Sequence, residues 1–163
     1  MTTATINDRL VELGVLGDQQ DKAIQRKGAE LVGAFFMSFT ESDVDEETTA
    51  LVLHYLTDIQ VRDFGMGILD KYKNVLPALN YLLDKAPTDT AFINAPASIL
   101  AAYLYERGDS ASAAVTLTNA QQHYSLGMLL RRVMQVGLPP SMFSAMREEL
   151  HPKVIARIFG EEE

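Results

Sequence analysis

The sequence predicts an all-α fold, a compact bundle of about eight or nine helices arranged as antiparallel hairpins. Three observations carry that expectation. Apolar residues recur every three to four positions through nearly the whole chain, the spacing of a helix face, and strand-like alternation is nearly absent. Cap and stop signals punctuate the pattern at intervals suited to short helices. The stretches between periodic segments are short, and short connections fold neighbouring helices back on one another.

The elements follow in order. Residues 5–13 open with Thr5 and Asp8 at capping-box spacing, carry Ile6, Leu10 and Leu13 as a stripe, and stop at Gly14. Ile24, Gly28, Leu31, Val32, Phe35, Phe36 and Phe39 mark one face of a long helix, in which Gly28 and Gly33 leave room for a close neighbour. Residues 40–43 interrupt, and Val44, Leu51, Val52, Tyr55, Leu56 and Ile59 form the next stripe behind an acidic first turn that suits the helix dipole. Thr57, three before Gln60, marks either a break or a new helix, whose stripe is Val61, Phe64, Ile68, Leu69 and Tyr72. Residues 75–85 form a helix with Pro77 in its first turn, and 86–96, with a proline at each end, are the best linker candidate. A helix through Ile99, Tyr103 and Leu104 stops at Gly108, and Asp109 caps a helix over 110–122. Ser125 caps another, carrying Leu126, Leu129, Leu130, Val133 and Met134 and ending at Gly137 before Pro139 and Pro140. Two short helices, about 141–149 and 153–159, and a solvated acidic tail, Glu161 to Glu163, complete the expected single domain over 1–163, with 144–163 as a C-terminal extension.

Composition limits the functions available. The chain has 163 residues, 47% apolar and 22% charged, which is enough to build one core and too apolar for disorder. Fourteen basic against 22 acidic residues give a net charge of −8, which disfavours nucleic-acid binding and is read first as a solubility device. The absence of cysteine excludes disulfides, thiolate metal sites and a cysteine nucleophile, and favours a cytoplasmic location. The opening MTTATINDRLVELG is not a signal peptide, and no apolar stretch reaches membrane-spanning length, so no membrane partner is expected.

Residues 96–140 read as a helix–turn–helix unit followed by a third helix. Ala101 and Ala113 are small where two helices cross, Gly108 and Asp109 make the turn, and Leu104, Leu117 and Ala120 fill the seam. The unit resembles a single tetratricopeptide-type repeat, although Ser125 stands where such repeats usually place proline and no second copy follows at the required period. The order of TDIQVRDF (57–64), VLPALNYLLDKAP (75–87), PASILAAYLYERGD (96–109) and HYSLGMLLRRVMQVGLPP (123–140) also resembles the C-terminal half of the DUF4192 family, a domain of unknown function found in actinobacteria and some of their phages. That likeness covers about residues 25–143, and its most specific parts are the Val-Arg-Asp triplet and the Gly-Leu-Pro-Pro ending. It implies the helical fold, a possible phage source and no particular chemistry.

The search for chemistry yields candidate binding residues and no catalytic set, cofactor or metal. His54 and Asp58 are four apart, but two ligands without a third make no metal site. DVDEETTALVLH (43–54) fails as a calcium loop, with Thr48 at the sixth position and His54 at the twelfth. Gly65 and Gly67 precede no phosphate-loop Lys-Ser or Lys-Thr. Arg62 and Asp63 read either as an anion-binding group with its orienter or, preferably, as an ion pair fixing one helix against another. Arg131 and Arg132 read as a solvated face or, with Gln121, Gln122 and His123, as a polar ligand surface to which Tyr103, Tyr105 and Tyr124 add aromatic anchors. Met142 and Met146, four apart, suggest an adaptable binding face, and Met142, Phe143, Met146, Ile155 and Phe159 an exposed apolar interface.

Three functions follow. The preferred one is a non-catalytic helical module that binds another protein or a second copy of itself. The alternatives are a small-molecule binder or enzyme using Arg62 and Asp63, and an acidic decoy of a host protein, in the host cytoplasm if phage-encoded.

Overall fold

Helix caps set the element boundaries in the computed structural model, which describes residues 3–17 and 20–160. Among the described residues there are nine α-helices and no strand. α1 (Thr3–Leu13) packs against α3 (Glu46–Tyr55), starting two residues before the expected Thr5. α2 (Lys22–Ser38) begins at Asp21, whose carboxylate accepts from the backbone N–H groups of Ala23 and Ile24 at 2.9 and 3.2 Å. Its buried face includes Gly28, where an added Cβ would lie 2.9 Å from both Tyr55 and Val61, so the close approach requires glycine. At Gly33 the nearest atom would be 3.6 Å away, an ordinary contact that makes no such demand.

The Val44–Ile59 stripe is broken into two helices. Asp45 caps α3, accepting from the Thr48 N–H at 2.7 Å, which holds its carboxyl below the usual range. Thr57 is not a helix cap. Its hydroxyl donates to the His54 carbonyl at 2.6 Å and accepts from the Leu16 N–H at 2.8 Å, tying the α1–α2 connection to this junction. Asp58, fully buried, caps α4 (Ile59–Gly67) by accepting from Gln60 N–H at 2.9 Å and Val61 N–H at 3.1 Å.

α5 (Val75–Lys85) has its expected bounds. The expected linker is shorter than 86–96: a 3-10 turn at Ala91–Ile93 leads into α6 (Asn94–Glu106), so Pro96 lies in a helical first turn, where its missing N–H costs nothing. Gly108, at φ +83°, turns the chain into α7 (Ser110–Leu117), which forms a hairpin with α6. α7 stops five residues short of the expected 122 because Asn94 captures the following loop: its side chain donates to Gln121 Oε1 at 2.8 Å and accepts from the Gln121 N–H at 2.7 Å. α8 (Ser125–Val136) ends at Gly137, left-handed at φ +69°.

The two short helices expected after Pro140 are one, α9 (Pro140–Phe159), which continues through Pro152. Proline removes the bond to the Glu148 carbonyl, but Pro152 and Glu148 are both exposed, so water can satisfy that oxygen. Phe143, Arg147, His151, Val154 and Ile158 form a continuous buried stripe across the proline and hold both halves to the bundle. The expected acidic tail lies outside the described residues. The main core runs from Ile6 in α1 to Phe143 in α9, with α6 in contact with α4, α5, α7, α8 and α9.

Candidate functional site

α9 runs antiparallel to α4. Arg147, early in α9, bonds the carbonyls at the end of α4, while Phe159 at the far end of α9 meets the ring of Phe64, 6.2 Å between centroids in an edge-to-face pair. Beside this pair α8 leaves a cleft of about 280 Å³, to which α4 contributes Arg62, Asp63 and Met66, and α8 contributes Ser125, Leu126 and Leu129. The α9 wall is a helical stripe running from Phe143 and Met146 to Val154 and Arg157. The interior is apolar. Its rim exposes Leu129, Met146 and Leu150, each about half accessible to solvent.

The helix directions polarise the cleft. Arg62 and Asp63, near the start of α4, Ser125, at the start of α8, and Arg157, near the end of α9, belong to one end. Met66, Leu129, Phe143 and Met146 belong to the other. Arg62 is 7% exposed. Its Nε and Nη2 both donate to one oxygen of Asp63, at 3.0 and 2.9 Å, while Nη1 makes long contacts to Ser125 Oγ at 3.3 Å and Tyr124 Oη at 3.5 Å. Burial works against the Arg62 charge, but Tyr124 and Asp63 outweigh it and hold the guanidinium above its usual value. Burial also lifts the Tyr124 phenol, against the pull of Arg62.

Arg147 is fully engaged. Nε and Nη2 form a fork on the Glu106 carboxylate at 2.7 and 2.9 Å, and Nη1 donates to the Met66 and Gly67 carbonyls at 3.2 and 3.3 Å. One guanidinium therefore ties α9 to the C-terminal ends of both α6 and α4, where the helix dipole favours a cation. Next to it His151 lies over Gly67 so closely that a Cβ there would fall 1.8 Å from His151 Nδ1. Burial, Lys71 and Arg147 lower the His151 pKa, partly opposed by Asp70. At the far end of α9, Arg26 donates to the Ile158 and Gly160 carbonyls at 2.8 and 2.9 Å.

The predicted site residues separate into several places. Arg62, Asp63 and Tyr124 meet, with the Arg62–Asp63 ion pair joining neighbours on α4 rather than two helices. Tyr103 is elsewhere, under the guanidinium of Arg107 at 3.4 Å from the ring centre. Arg131 and Arg132 line an open groove of about 970 Å³ between α7 and α8 with Gln122, His123 and Met128. Arg131 also donates to the Leu117 carbonyl at 3.2 Å, at the end of α7. Phe143 is no surface residue: it is buried, with its ring perpendicular to Tyr105 at 6.0 Å between centroids. Met142, Met146, Ile155 and Phe159 are exposed but form no single patch, since nine positions at about 100° each place Ile155 opposite Met146 on α9. His54 and Asp58 do not pair; His54 Nδ1 lies 2.7 Å from the Gly14 carbonyl.

Sequence reasoning missed Arg147, Glu106, Gly67 and His151. Their partners lie up to 84 positions apart, as for Gly67 and His151, and no local spacing links them. Among the described residues no group of three or more His, Asp or Glu is arranged to hold a metal, and no helix is long and apolar enough to cross a membrane.

Fold and site together define an all-helical protein with an apolar cleft edged by arginines. Residues 2–141 match the family described as "Domain of unknown function (DUF4192)". The chain belongs to that family. The match starts at residue 2 rather than about 25, so it takes in α1, and it ends just inside α9. No curated protein and no solved structure matches the chain.

Proposed function

We propose that the protein is a non-catalytic interaction module that receives a helix of another protein in the cleft between α4, α8 and α9. The observation that carries this reading is the convergence of three half-exposed apolar side chains, Leu129, Met146 and Leu150, on the rim of an apolar cleft. Monomeric proteins rarely leave such groups clustered without a use, and an amphipathic helix presents its anchors at i, i+3/i+4 and i+7, which suits a groove walled by helices. A volume of about 280 Å³, at the lower end of ligand-pocket sizes, suits one or two anchor side chains. The likeness of the α6–α7 hairpin to a tetratricopeptide unit supports the same reading, to which a cytoplasmic location and an actinobacterial or phage source belong.

Selection of binders from a displayed library of helical peptides tests it. The expected result is enrichment of apolar i, i+3/i+4, i+7 patterns that lose binding to the Leu129→Glu and Met146→Glu variants. No enrichment, or binders indifferent to both variants, overturns it.

One observation favours a second reading, a small-molecule site: Arg62 and Asp63 both line the cleft. An acidic decoy draws no support from a cleft and a groove that are both lined by arginines.

A further inference from the structure

We infer that the partner helix is acidic, and that the Arg62–Arg157 end of the cleft reads a carboxylate placed about one turn from its apolar anchor. This rests on the cleft being a docking site for a helix and adds the chemistry by which it selects one. The argument begins with charge. In a chain of net charge −8, three arginines and one carboxylate, Asp63, line the cleft. Glu106 and Asp70 balance Arg147, and Asp63 balances Arg62, so among the described residues Arg157 is the cleft arginine left without a balancing carboxylate. Arg157 is exposed. It has no carboxylate partner among the described residues.

The Arg62 fork is also only partly used. Both of its strong bonds go to a single oxygen of Asp63, and Nη1 has only two hydroxyl contacts near the limit of hydrogen-bond length. A guanidinium prefers two parallel bonds to a carboxylate, and burial strengthens such a pair when it forms. Asp63 Oδ1 leaves the Nη1 side of the fork without a charged acceptor. An incoming carboxylate would meet Arg62 there and Arg157 across the cleft mouth, while its neighbouring apolar side chain enters between Leu126, Leu129 and Met146.

The same charge pattern argues against a second copy as the occupant. A two-fold pair with the Arg62–Arg157 ends of both clefts on its axis would bring like charges together, which opposes that arrangement.

The test uses synthetic amphipathic helices carrying the anchor pattern from the display selection, each made with Glu, Gln or Lys one turn from the anchor, and titrated into the full chain by calorimetry. The Glu peptide should bind roughly tenfold or more tightly than the Gln peptide, with the advantage shrinking as salt rises, and the Lys peptide should bind weakest. Arg157→Glu, a surface change that leaves the fold intact, should reverse the order of Glu and Lys. Equal affinities for all three peptides, abolished by Met146→Glu, would overturn the acidic preference and leave the docking reading standing. No measurable binding of any peptide would defeat both. A dimer in light scattering that Met146→Glu converts to monomer would identify a second copy as the occupant and overturn the inference.

Discussion

α6 and α9 are both long helices, and they are held by opposite means. α6 buries ten of its thirteen residues, mostly small and aliphatic, and touches five other α-helices. α9 buries five of twenty, and two of those five are Arg147 and His151. Its second half rests on a small separate cluster, Val154 and Ile158 against Ala29 and Phe64. Apolar burial is distributed, because loss of one contact leaves the others in place. A buried ion pair is conditional, because loss of one partner leaves the other charged and stranded. The difference makes α6 the centre of the core and α9 a helix whose attachment depends on a few polar residues.

Substitutions can sharpen that contrast. Glu106→Ala leaves Arg147 only the longer ion pair with Asp70, at 3.6 Å, and should cost about 3 kcal/mol in urea unfolding, whereas Glu106→Leu combined with Arg147→Met should recover most of the loss. A Glu106→Ala variant as stable as the unchanged protein would show that the pair is not essential. Phe36→Ala, deep in the main core, should cost about 3–5 kcal/mol through the cavity it leaves, but lower one transition for the whole molecule. In hydrogen exchange, Glu106→Ala should strip protection from α9 first and Phe36→Ala from all helices together. Gly67→Ala drives a methyl into His151 and should cost about 1–3 kcal/mol, reduced when His151→Ala is added. Asp58→Ala removes a buried cap and should cost about 2 kcal/mol without loosening α9 selectively.

The smallest effect is that of pH. The folded His151 pKa lies below that of the unfolded chain, about 6.5, so between the two values the unfolded state binds more protons. Stability should therefore fall as the pH drops below about 6.5, level off below the folded value, and be insensitive to His151 above about 6.5. His151→Phe should flatten that slope in urea midpoints measured from pH 5 to 8, and an unchanged slope would assign it to another group.

The same contrast explains what the sequence made legible. The stripes of α2 and α8 consist mostly of leucine, valine and phenylalanine at regular offsets, and each reads directly as a helix face. The α9 stripe of Phe143, Arg147, His151, Val154 and Ile158 has the same periodicity, but two of its members look like surface residues and Pro152 interrupts it. The pattern therefore predicts two helices where there is one. Asp58 is hard to read as a cap for a related reason: its four-residue spacing from His54 suggests a pair, while its role lies in the Gln60 and Val61 N–H groups that follow it. The cleft was legible in part. Arg62, Asp63 and Met146 stood out, but Phe143 looked like part of an exposed face and Arg147 did not stand out, since its partners come from two helices remote in sequence.

Pro152 gives α9 a mechanical property of its own. The bond missing at the Glu148 carbonyl falls between two anchors, Arg147 on the near side and the Arg26 contacts with Ile158 and Gly160 on the far side. Each half of α9 is thus fastened by its own arginine, Arg147 reaching out from the helix to α6 and α4 and Arg26 reaching in from α2, so the turn that lacks a bond lies between two fixed ends.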